Sequence, residues 1–491
     1  MKTIKINSSD NVLIALNDLE AGTKPECNIV LKEHIPAGHK IAIKDIKKEE
    51  AIIKYGEIIG YAKKDIREGE WVHTHNIKTG LSDVADYTYH PSKVSPFIYP
   101  VHSKITGYKR KNNKVGIRNE LWILVTVGCV NSIANHIVDL YKRTHDISDI
   151  DGIFTFNHPY GCSQMGQDQE NTKIILKRIA EHPNAGGVLL LGLGCENNQV
   201  LPFYKSLEDI DTERIRYMNC QDVEDETSTA IHLLEELHAN MKKDKRVPIH
   251  FKDIKIGLKC GGSDGFSGIT ANPLVGKISD IITQSGGSTI LSEVPEMFGA
   301  EHILMNRAEN TEVFNKIIQL INQYKNYLLK HDQVIYENPS PGNKKGGIST
   351  LEEKSLGCIQ KAGNTSVEDV LKYGETVTKS GISLLYGPGN DMVSVTALAA
   401  SGAQLVLFTT GRGTPFGGFV PTLKIATNTK LSKQKKNWID FNAGTLLDLN
   451  DSNLIVQELI DKIISVINGE KTKNEVNNCR EVAIFKQGVT L

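Results

Sequence analysis

The sequence has few of the features that mark membrane, secreted or nucleic-acid-binding proteins. No apolar run approaches the roughly 18 residues that a membrane span needs, and the first residues contain no secretory-type apolar stretch. The 57 Lys and Arg residues nearly balance the 58 Asp and Glu residues, which argues against an extended nucleic-acid surface. The eight cysteines are dispersed over 491 residues, so a disulfide scaffold is disfavoured. We therefore expect a cytoplasmic protein with free thiols and no membrane or nucleic-acid partner.

Nucleotide-binding signatures are also missing. The glycine-rich segment 411–418 lacks the Gly-Lys-Ser/Thr of a P-loop, and segment 260–268 lacks the G-x-G-x-x-G spacing. The sequence does have 42 glycines against 16 prolines, and many of them gather in short loops, at 261–268, 342–347, 387–390 and 411–418. Because glycine lets a backbone approach a ligand closely, we expect a site built from these loops.

The hydrophobic pattern divides the chain, whose length suggests about three domains. Residues 1–80 contain short β segments separated by turns, which predicts a small all-β module. Residues 81–106 are Pro- and Ser-bearing and predict a linker. From residue 107, strands alternate with amphipathic helices, which predicts an α/β region with mostly parallel sheets. A polar run divides this region into units 107–247 and 248–491, and the pattern leaves open whether they form one sheet or two.

Five cysteines lie at the ends of predicted strands or in the loops that follow them: Cys129, Cys162, Cys195, Cys220 and Cys260. In an open parallel sheet the ligand crevice lies beyond the carboxyl ends of the strands. Cysteine is also a small residue that is often buried at strand ends without a chemical role. The recurrence nevertheless favours a functional edge. Four of these residues, Cys129, Cys162, Cys195 and Cys260, could ligate an iron–sulfur cluster, although none shows a C-x-x-C spacing.

A histidine pair lies in the β module, in the sequence His73-Thr74-His75-Asn76. On a strand, residues two apart point to one face. His73 and His75 could therefore bind one metal ion of the Fe(II) or Mn(II) kind. The alternative is a pair of surface histidines without a ligand.

Further polar residues fall at predicted strand ends and in the glycine loops. Arg412 stands between Gly411 and Gly413, where its guanidinium could bind a carboxylate through two hydrogen bonds. The others are His158, Glu196, Asn197, Ser263, Asp264, Glu293, Glu296, Lys344, Lys345, Asn390, Asp391 and Thr414.

The longer motifs resemble those of the altronate/galactarate dehydratase family from end to end. They include NVLIALNDLEAGT (11–23), YGCSQMGQD (160–168), CGGSDGFSGITANP (260–273) and TTGRGTPFGGFVPTLKIATNT (409–429). The resemblance implies an N-terminal SAF-type (β-clip) module, a larger Rossmann-like α/β catalytic region, and an iron- or manganese-assisted loss of water from a sugar acid.

Three motifs indicate which sugar acid is the substrate: HTHN (73–76), EVPEMFGAE (293–301) and REVAIFKQGVTL (480–491). They look more like sequences specific for D-altronate than for galactarate, and the implied product is 2-dehydro-3-deoxy-D-gluconate. The alternatives are a dehydratase acting on galactarate, a related sulfo-lyase acting on sulfolactate, and a non-catalytic sugar-acid-binding protein. We expect a homo-oligomer.

This reaction needs a base for the C2 proton, positive charge near the enediolate, and an acid for the C3 hydroxyl. A divalent metal held by His73 and His75 would supply positive charge, and Arg412 and Lys344 would hold the carboxylate. His158 is the leading acid/base candidate, since histidine titrates near neutral pH. Its competitors are Glu196, Asp264 and Glu296. We expect the substrate hydroxyls to be bound by Asn197, Ser263, Asn390 and Thr414.

Overall fold

The chain folds into an all-β N-terminal part and two parallel sheets that are flanked by helices. A computed structural model describes residues 2–25, 29–81, 87–92, 95–101, 104–208, 211–448 and 452–491. The predicted α/β class, with its all-β N-terminal module and mostly parallel sheets, is confirmed. Among the described residues, no helix is long and apolar enough to cross a lipid bilayer.

The N-terminal part contains two antiparallel sheets, in the strand orders β1-β2-β3-β6 and β4-β5-β7. A small core that includes Leu13, Ile35 and Ile41 lies in this part. The strands are β1 (Thr3–Ile4), β2 (Val12–Ala15), β3 (Lys40–Ala42), β4 (Ala51–Lys54), β5 (Glu57–Ala62), β6 (Trp71–Val72) and β7 (Ile77–Lys78).

The sequence WVHTHNI (71–77) predicts one strand, but residues 73–76 are not extended. The chain turns between β6 and β7, and the backbone N–H groups of Asn76 and Ile77 both donate to the His73 carbonyl, at 2.9 and 3.0 Å. The Asn76 side chain also accepts from His73 N and donates to Trp71 O. These local bonds replace the extended conformation, so the argument that places His73 and His75 on one strand face does not apply.

The described residues between 87 and 101 form no helix or strand, but they pack on the C-terminal region. Tyr87 Oη donates to Glu301 Oε1 at 2.6 Å, Tyr89 Oη donates to Ala308 O at 2.7 Å, and Phe97 N donates to Asp280 Oδ2 at 2.8 Å. The predicted linker also includes residues 82–86, 93, 94, 102 and 103, which lie outside the described residues.

The middle region is built on a four-stranded parallel sheet in the order β11-β10-β12-β13. Its central strands are buried on both faces, which explains why they are apolar after Glu120, the first residue of β10. This stretch of chain also forms an antiparallel sheet, β14-β8-β9, whose buried residues Ile105, Val115 and Ile249 belong to the core shared with the C-terminal region. The elements are β8 (Ile105–Lys109), β9 (Val115–Gly116), β10 (Glu120–Val125), α1 (Asn131–Thr144), β11 (Gly152–Thr155), α2 (Gly166–Ala180), β12 (Ala185–Gly192), α3 (Val200–Ser206), β13 (Ile215–Asn219), α4 (Glu226–Met241) and β14 (Val247–Ile249).

The C-terminal region is built on a separate seven-stranded parallel sheet in the order β17-β18-β16-β15-β19-β20-β21. The question that the sequence left open is therefore answered: there are two parallel sheets. The elements are β15 (Lys255–Cys260), α5 (Ala271–Gln284), β16 (Ser288–Leu291), α6 (Glu301–Met305), α7 (Thr311–Lys330), α8 (Pro341–Lys345), α9 (Leu351–Cys358), β17 (Val367–Leu371), β18 (Gly381–Leu385), α10 (Asp391–Ala400), β19 (Leu405–Thr410), β20 (Thr422–Ala426), α11 (Thr429–Gln434), β21 (Phe441–Asn442), α12 (Ser452–Ile467) and α13 (Lys473–Val476).

Candidate active site

A buried group of charged residues lies at the carboxyl ends of the central strands of the larger sheet. Lys259 is the penultimate residue of β15, and its Nζ atom pairs with the Glu293 carboxylate and lies 2.9 Å from Asp391 Oδ1. Lys361 Nζ lies 3.3 Å from Glu293 Oε2. Lys259, Glu293 and Lys361 are almost completely buried, whereas the Asp391 side chain is 37% exposed. Asp391 is thus the member of this group that reaches solvent.

A second carboxylate, Glu296, lies in the same group and is bound from helix α9. Lys354 Nζ lies 2.8 Å from Glu296 Oε1, and Cys358 Sγ donates to Glu296 Oε2 at 3.1 Å. Cys260, the last residue of β15, places its Sγ atom 2.7 Å from Ser263 Oγ. We call the eight residues Lys259, Cys260, Glu293, Glu296, Lys354, Cys358, Lys361 and Asp391 the buried cluster.

The two glutamates of the buried cluster have pKa values shifted in opposite directions. Burial and the charge of Glu296 raise the pKa of Glu293 to about 7. Burial alone would also raise the pKa of Glu296, but the ammonium groups of Lys354 and Lys259 lower it to about 2. Neighbouring carboxyl groups with separated pKa values are typical of acid/base sites. Glu293 also adopts a left-handed backbone conformation (φ 71°), which is strained for a residue other than glycine and is enriched at functional sites.

Two cysteines of the buried cluster also have shifted pKa values. A hydrogen bond with Cys358 holds the pKa of Cys260 well below its usual range; burial opposes this shift and the charge of Lys361 adds to it. The same hydrogen bond and burial raise the pKa of Cys358. Both thiols are buried.

A cleft of about 960 Å³ lies beside this strand edge. Its lining includes Arg412, Lys345, Lys430 and Asn428 from the C-terminal region and Asp18 from the N-terminal part. Arg412 is exposed in it. The lining carries three cationic side chains, Lys345, Arg412 and Lys430, and three acidic ones, Asp18, Asp264 and Asp448. An anionic ligand is therefore favoured where the exposed guanidinium of Arg412 can pair with it.

The Asp264 carboxylate hydrogen-bonds the loops that form this cleft. Its carboxylate accepts hydrogen bonds from Thr427 Oγ1 at 2.9 Å, from Asn428 Nδ2 at 3.0 Å and from Ser267 Oγ at 3.1 Å. Burial raises its pKa. A Cβ atom on Gly411 would overlap the Asp264 carboxylate, so the glycine is required by close packing. The structure therefore places Asp264 in the wall of the cleft, bound to its neighbours.

A glycine turn separates the cleft from the buried cluster. A Cβ atom on Gly261 would lie 2.7 Å from both carboxylate oxygens of Asp391, and one on Gly262 would lie 3.5 Å from Arg412 Cβ. The backbone N–H groups of Gly411 and Arg412 both donate to Gly262 O, at 3.1 Å. Asp391 and Arg412 therefore flank the same two-residue turn.

His158 lies elsewhere, in the middle region, and its surroundings do not support the predicted acid/base role. Its Nε2 atom lies 2.9 Å from Val125 O and its Nδ1 atom accepts from Tyr160 N at 3.2 Å. Burial lowers its pKa to about 4. Both ring nitrogens are engaged by the backbone, so the imidazole binds its own loop to the end of β10.

Glu196 and Asn197 also hold loops of the middle region. The buried Glu196 carboxylate accepts from Thr126 Oγ1 at 2.7 Å and from Gly194 N at 2.6 Å. Asn197 Oδ1 accepts from Ser163 N at 2.8 Å. These bonds give both residues a structural role.

The other predicted residues lie around the larger sheet. Asn390 is exposed and caps α10 by accepting from Val393 N at 3.1 Å, and Thr414 Oγ1 accepts from Phe416 N at 3.2 Å. Ser263 contacts Cys260, as described above. Lys344 is half-buried on α8, and a Cβ atom on Gly342 of that helix would lie 3.7 Å from Arg412 Cδ.

The predicted metal ligands are not gathered into a ligand set. His73 is buried with Nδ1 at 3.0 Å from Ser349 Oγ, and His75 is exposed. Cys129, Cys162 and Cys195 are exposed on neighbouring loops of the smaller sheet, whereas Cys260 is buried in the larger one. Over the part of the chain that the structure describes, no three His, Cys, Asp or Glu side chains are arranged to hold a metal ion. The residues present therefore do not fit a three-ligand metal site.

Sequence reasoning missed four members of the buried cluster: Lys259, Lys354, Cys358 and Lys361. The available signal was a lysine inside an apolar strand (KIGLKC) and two more in a buried helical segment (EKSLGCIQK). A fully buried lysine needs an anionic partner, so these positions indicated a charged site.

Comparison with known sequences places the chain among sugar-acid dehydratases. Three domain descriptions match: the altronate/galactarate dehydratase SAF domain over residues 1–80, the D-galactarate dehydratase/altronate hydrolase second domain over 107–242, and the D-galactarate/altronate dehydratase C-terminal domain over 251–490. Together they define an enzyme of the dehydratase class.

Full-length relatives give the particular family. Altronate dehydratase of Bacillus subtilis (strain 168) is 53% identical over 493 residues, which cover 99% of each chain. Altronate dehydratase of Escherichia coli (strain K12) is 51% identical over 495 residues and 100% of each chain. Galactarate dehydratase (L-threo-forming) of the same strain is 34% identical over 486 residues, 95% of this chain and 93% of its own. The chain belongs to the altronate/galactarate dehydratase family, as its motifs predicted.

Proposed function

We propose that the protein dehydrates D-altronate to 2-dehydro-3-deoxy-D-gluconate. The observation that carries the proposal is the turn at Gly261 and Gly262, which has the exposed Arg412 on one side and the partly exposed Asp391 on the other. The choice of altronate is supported by the 51–53% identity to two altronate dehydratases, against 34% to a galactarate dehydratase.

Binding of the substrate is assigned to the cleft. Arg412 pairs with the C1 carboxylate through two hydrogen bonds, while Lys344 and Lys345 of α8 add positive charge. This charge stabilises the enediolate that forms when the C2 proton leaves, because the developing negative charge delocalises onto the carboxylate.

Proton transfer is assigned to the buried cluster. The Asp391 carboxylate accepts the C2 proton, and the adjoining Lys259 ammonium links it to Glu293. The C3 hydroxyl then takes this proton from Asp391, the member of the cluster that reaches solvent, and leaves as water. The buried Glu293 contacts Lys259, and its pKa of about 7 sets the pH at which the charge behind Asp391 changes. The resulting enol becomes the 2-keto acid by moving its O2 proton to C3, so the products are one keto acid and one water.

Iron or manganese, with an iron–sulfur cluster as the alternative, stays a prediction from the family resemblance. A divalent metal would act as a Lewis acid on the substrate carboxylate. The proton-transfer steps above do not use a metal ion, because no three metal-ligating side chains come together among the described residues. Anaerobic purification with iron, manganese and acid-labile sulfide analysis tests it: stoichiometric sulfide would favour the cluster, and metal without sulfide would favour a mononuclear site.

Light scattering and cell fractionation test the expected homo-oligomer and cytoplasmic location.

The reaction is tested by incubating the full-length protein with altronate, galactarate and sulfolactate under reducing conditions with Fe(II). A semicarbazide assay measures the 2-keto acid. We expect turnover of altronate, with kcat/KM at least tenfold lower for galactarate. Tight binding of altronate without keto-acid formation would show a binding protein instead, and sulfite release from sulfolactate would show a sulfo-lyase.

A further inference from the structure

The N-terminal β part binds the start of helix α9 through a buried ion triad. Glu353 accepts from Lys40 Nζ at 2.7 Å and from Lys54 Nζ at 2.8 Å, and all three side chains are almost fully buried. Lys40 Nζ also donates to Gly347 O at 2.8 Å. Burial lowers the pKa of Lys40 to about 8, while the two ammonium groups overcome burial and lower the pKa of Glu353 to about 2.

Further contacts fix the same segment. Glu352 Oε1 accepts from Gly80 N at 2.7 Å and from Thr79 Oγ1 at 2.9 Å. Just before the helix, Ser349 Oγ lies 3.0 Å from His73 Nδ1. Residues 347–353 are thus bound at several points by one domain.

The same helix carries two members of the buried cluster. Successive residues of an α-helix point about 100° apart, so Glu353 faces the N-terminal part while Lys354 turns toward Glu296. Cys358 then reaches Glu296 Oε2 from the end of the helix. Helix α9 therefore connects the N-terminal ion triad to the candidate active site.

Tyr55 adds a direct contact between the N-terminal part and the active-site loops. Its hydroxyl group occupies the space that a Cβ atom on Gly268 would need, and it lies 3.7 Å from the Cβ position of Gly357 on α9. Its backbone φ of 64° is left-handed, which is costly for an aromatic residue. Tyr55 and Lys54 also line a small cavity together with Ser263, Lys354 and Cys358.

We propose that Lys40, Lys54 and Tyr55 are positioning residues, which hold α9 so that Lys354 and Cys358 reach Glu296. The N-terminal domain thereby completes the active site of the C-terminal region. The effect on catalysis rests on the proposed function, whereas the placement of Cys358 can be measured without any substrate.

The charge balance makes one variant suitable as a test. The triad of two lysines and one glutamate has a surplus positive charge, so Lys54→Met leaves the neutral pair Lys40–Glu353 and no unpaired buried charge. Tyr55→Phe removes only the hydroxyl group. Matched controls in the same domain are Lys78→Met, whose exposed partner Glu49 lies at 2.6 Å, and Tyr61→Phe on β5.

The experiment uses the full-length protein and two readouts. Steady-state kinetics give kcat and KM for altronate, and peptide mass spectrometry gives the rate at which iodoacetamide labels Cys358 without substrate. We expect Lys54→Met and Tyr55→Phe to lower kcat by about tenfold to a hundredfold at an unchanged KM, since small misplacements of catalytic groups have effects of this size. Cys358 labelling should become at least about fivefold faster, and both controls should match the wild type.

Wild-type kcat and wild-type Cys358 labelling in Tyr55→Phe would overturn the proposal. If Lys54→Met fails to fold, Tyr55→Phe alone decides. If the wild-type protein turns over no altronate, the proposed function fails, while the labelling rates still decide whether these residues position α9.

Discussion

Lys354 Nζ lies 2.8 Å from Glu296 Oε1, and neither side chain is more than 7% exposed. The two residues come from different elements, α9 and the loop after β16, so the ion pair fixes the distance between them. Water cannot screen a pair at this depth. The position of Glu296 beside Glu293 therefore depends on a lysine that the sequence places more than fifty residues later.

Removing the charge of Glu296 should strongly destabilise the protein. Glu296→Gln keeps the shape of the side chain but leaves the Lys354 ammonium unpaired, and breaking a buried pair in this way costs about 3–5 kcal/mol. Urea denaturation measures the free energy of unfolding. In the exposed pair of Lys78 and Glu49, the control Glu49→Gln should leave it nearly unchanged, because water screens this pair. Equal stabilities of the two variants would contradict the pairing.

Glu293 should make both activity and stability depend on pH. Its pKa is raised from 4.5 to about 7 by burial and by Glu296, so the folded protein binds more protons than the unfolded chain between these values. The stabilisation from this group is therefore complete below pH 4.5 and is lost as the pH rises through about 7. We expect kcat to titrate near pH 7 and Glu293→Gln to remove that transition. An unchanged kcat profile in Glu293→Gln would assign the titration to another group.

Arg412 should act mainly in substrate binding. Its guanidinium is exposed in the cleft, so Arg412→Ala should leave stability within about 0.5 kcal/mol and raise KM for altronate about tenfold to a hundredfold, as expected for losing a charge-assisted bidentate contact. Arg412→Lys should recover only part of the loss, because an ammonium cannot form the two-bond contact. The exposed Lys433 on α11 provides the control Lys433→Ala. A drop in kcat alone would place Arg412 at the reacting atoms.

The fold was largely predictable because periodicity is a local property of the sequence. The apolar runs KIGLKC (255–260) and QLVLFTT (404–410) predict strands that agree closely with β15 and β19. The edge strand β17 was missed because its sequence, VEDVL, carries two adjacent acidic residues. The turn at 73–76 was missed because the bonds of Asn76 to His73 and Trp71 override the β-like sequence around it.

The site was only partly predictable, because its chemistry depends on contacts between distant segments. Strand-end reasoning located Cys260, Glu293, Glu296 and Asp391 at one sheet edge. It could not show that Lys259, a residue in a buried strand, turns its ammonium toward Glu293. It also could not show that His158 lies at the edge of the other parallel sheet, since the strands of both sheets are followed by similar polar loops.

His158 should prove structural. His158→Ala leaves Val125 O and Tyr160 N without their partner, and each unsatisfied buried group costs about 1–3 kcal/mol. We therefore expect a lower midpoint in urea but an unchanged pH dependence of kcat for the protein that remains folded. A loss of one limb of the pH profile, with normal stability, would restore the acid/base role that the sequence suggested. The exposed His232→Ala in α4 serves as the control.

The ion triad of Lys40, Glu353 and Lys54 should show strong coupling in a double-mutant cycle. Glu353→Gln leaves two buried ammonium groups without a partner and should be more destabilising than the roughly 3–5 kcal/mol expected for one broken pair. Lys54→Met leaves a neutral pair and should cost less. The double variant Lys54→Met/Glu353→Gln has one unpaired charge instead of two, so it should be more stable than Glu353→Gln alone. Urea denaturation of the wild type, the two single variants and the double variant measures the coupling energy. Additive changes in the free energy of unfolding would show that Lys54 and Glu353 do not interact.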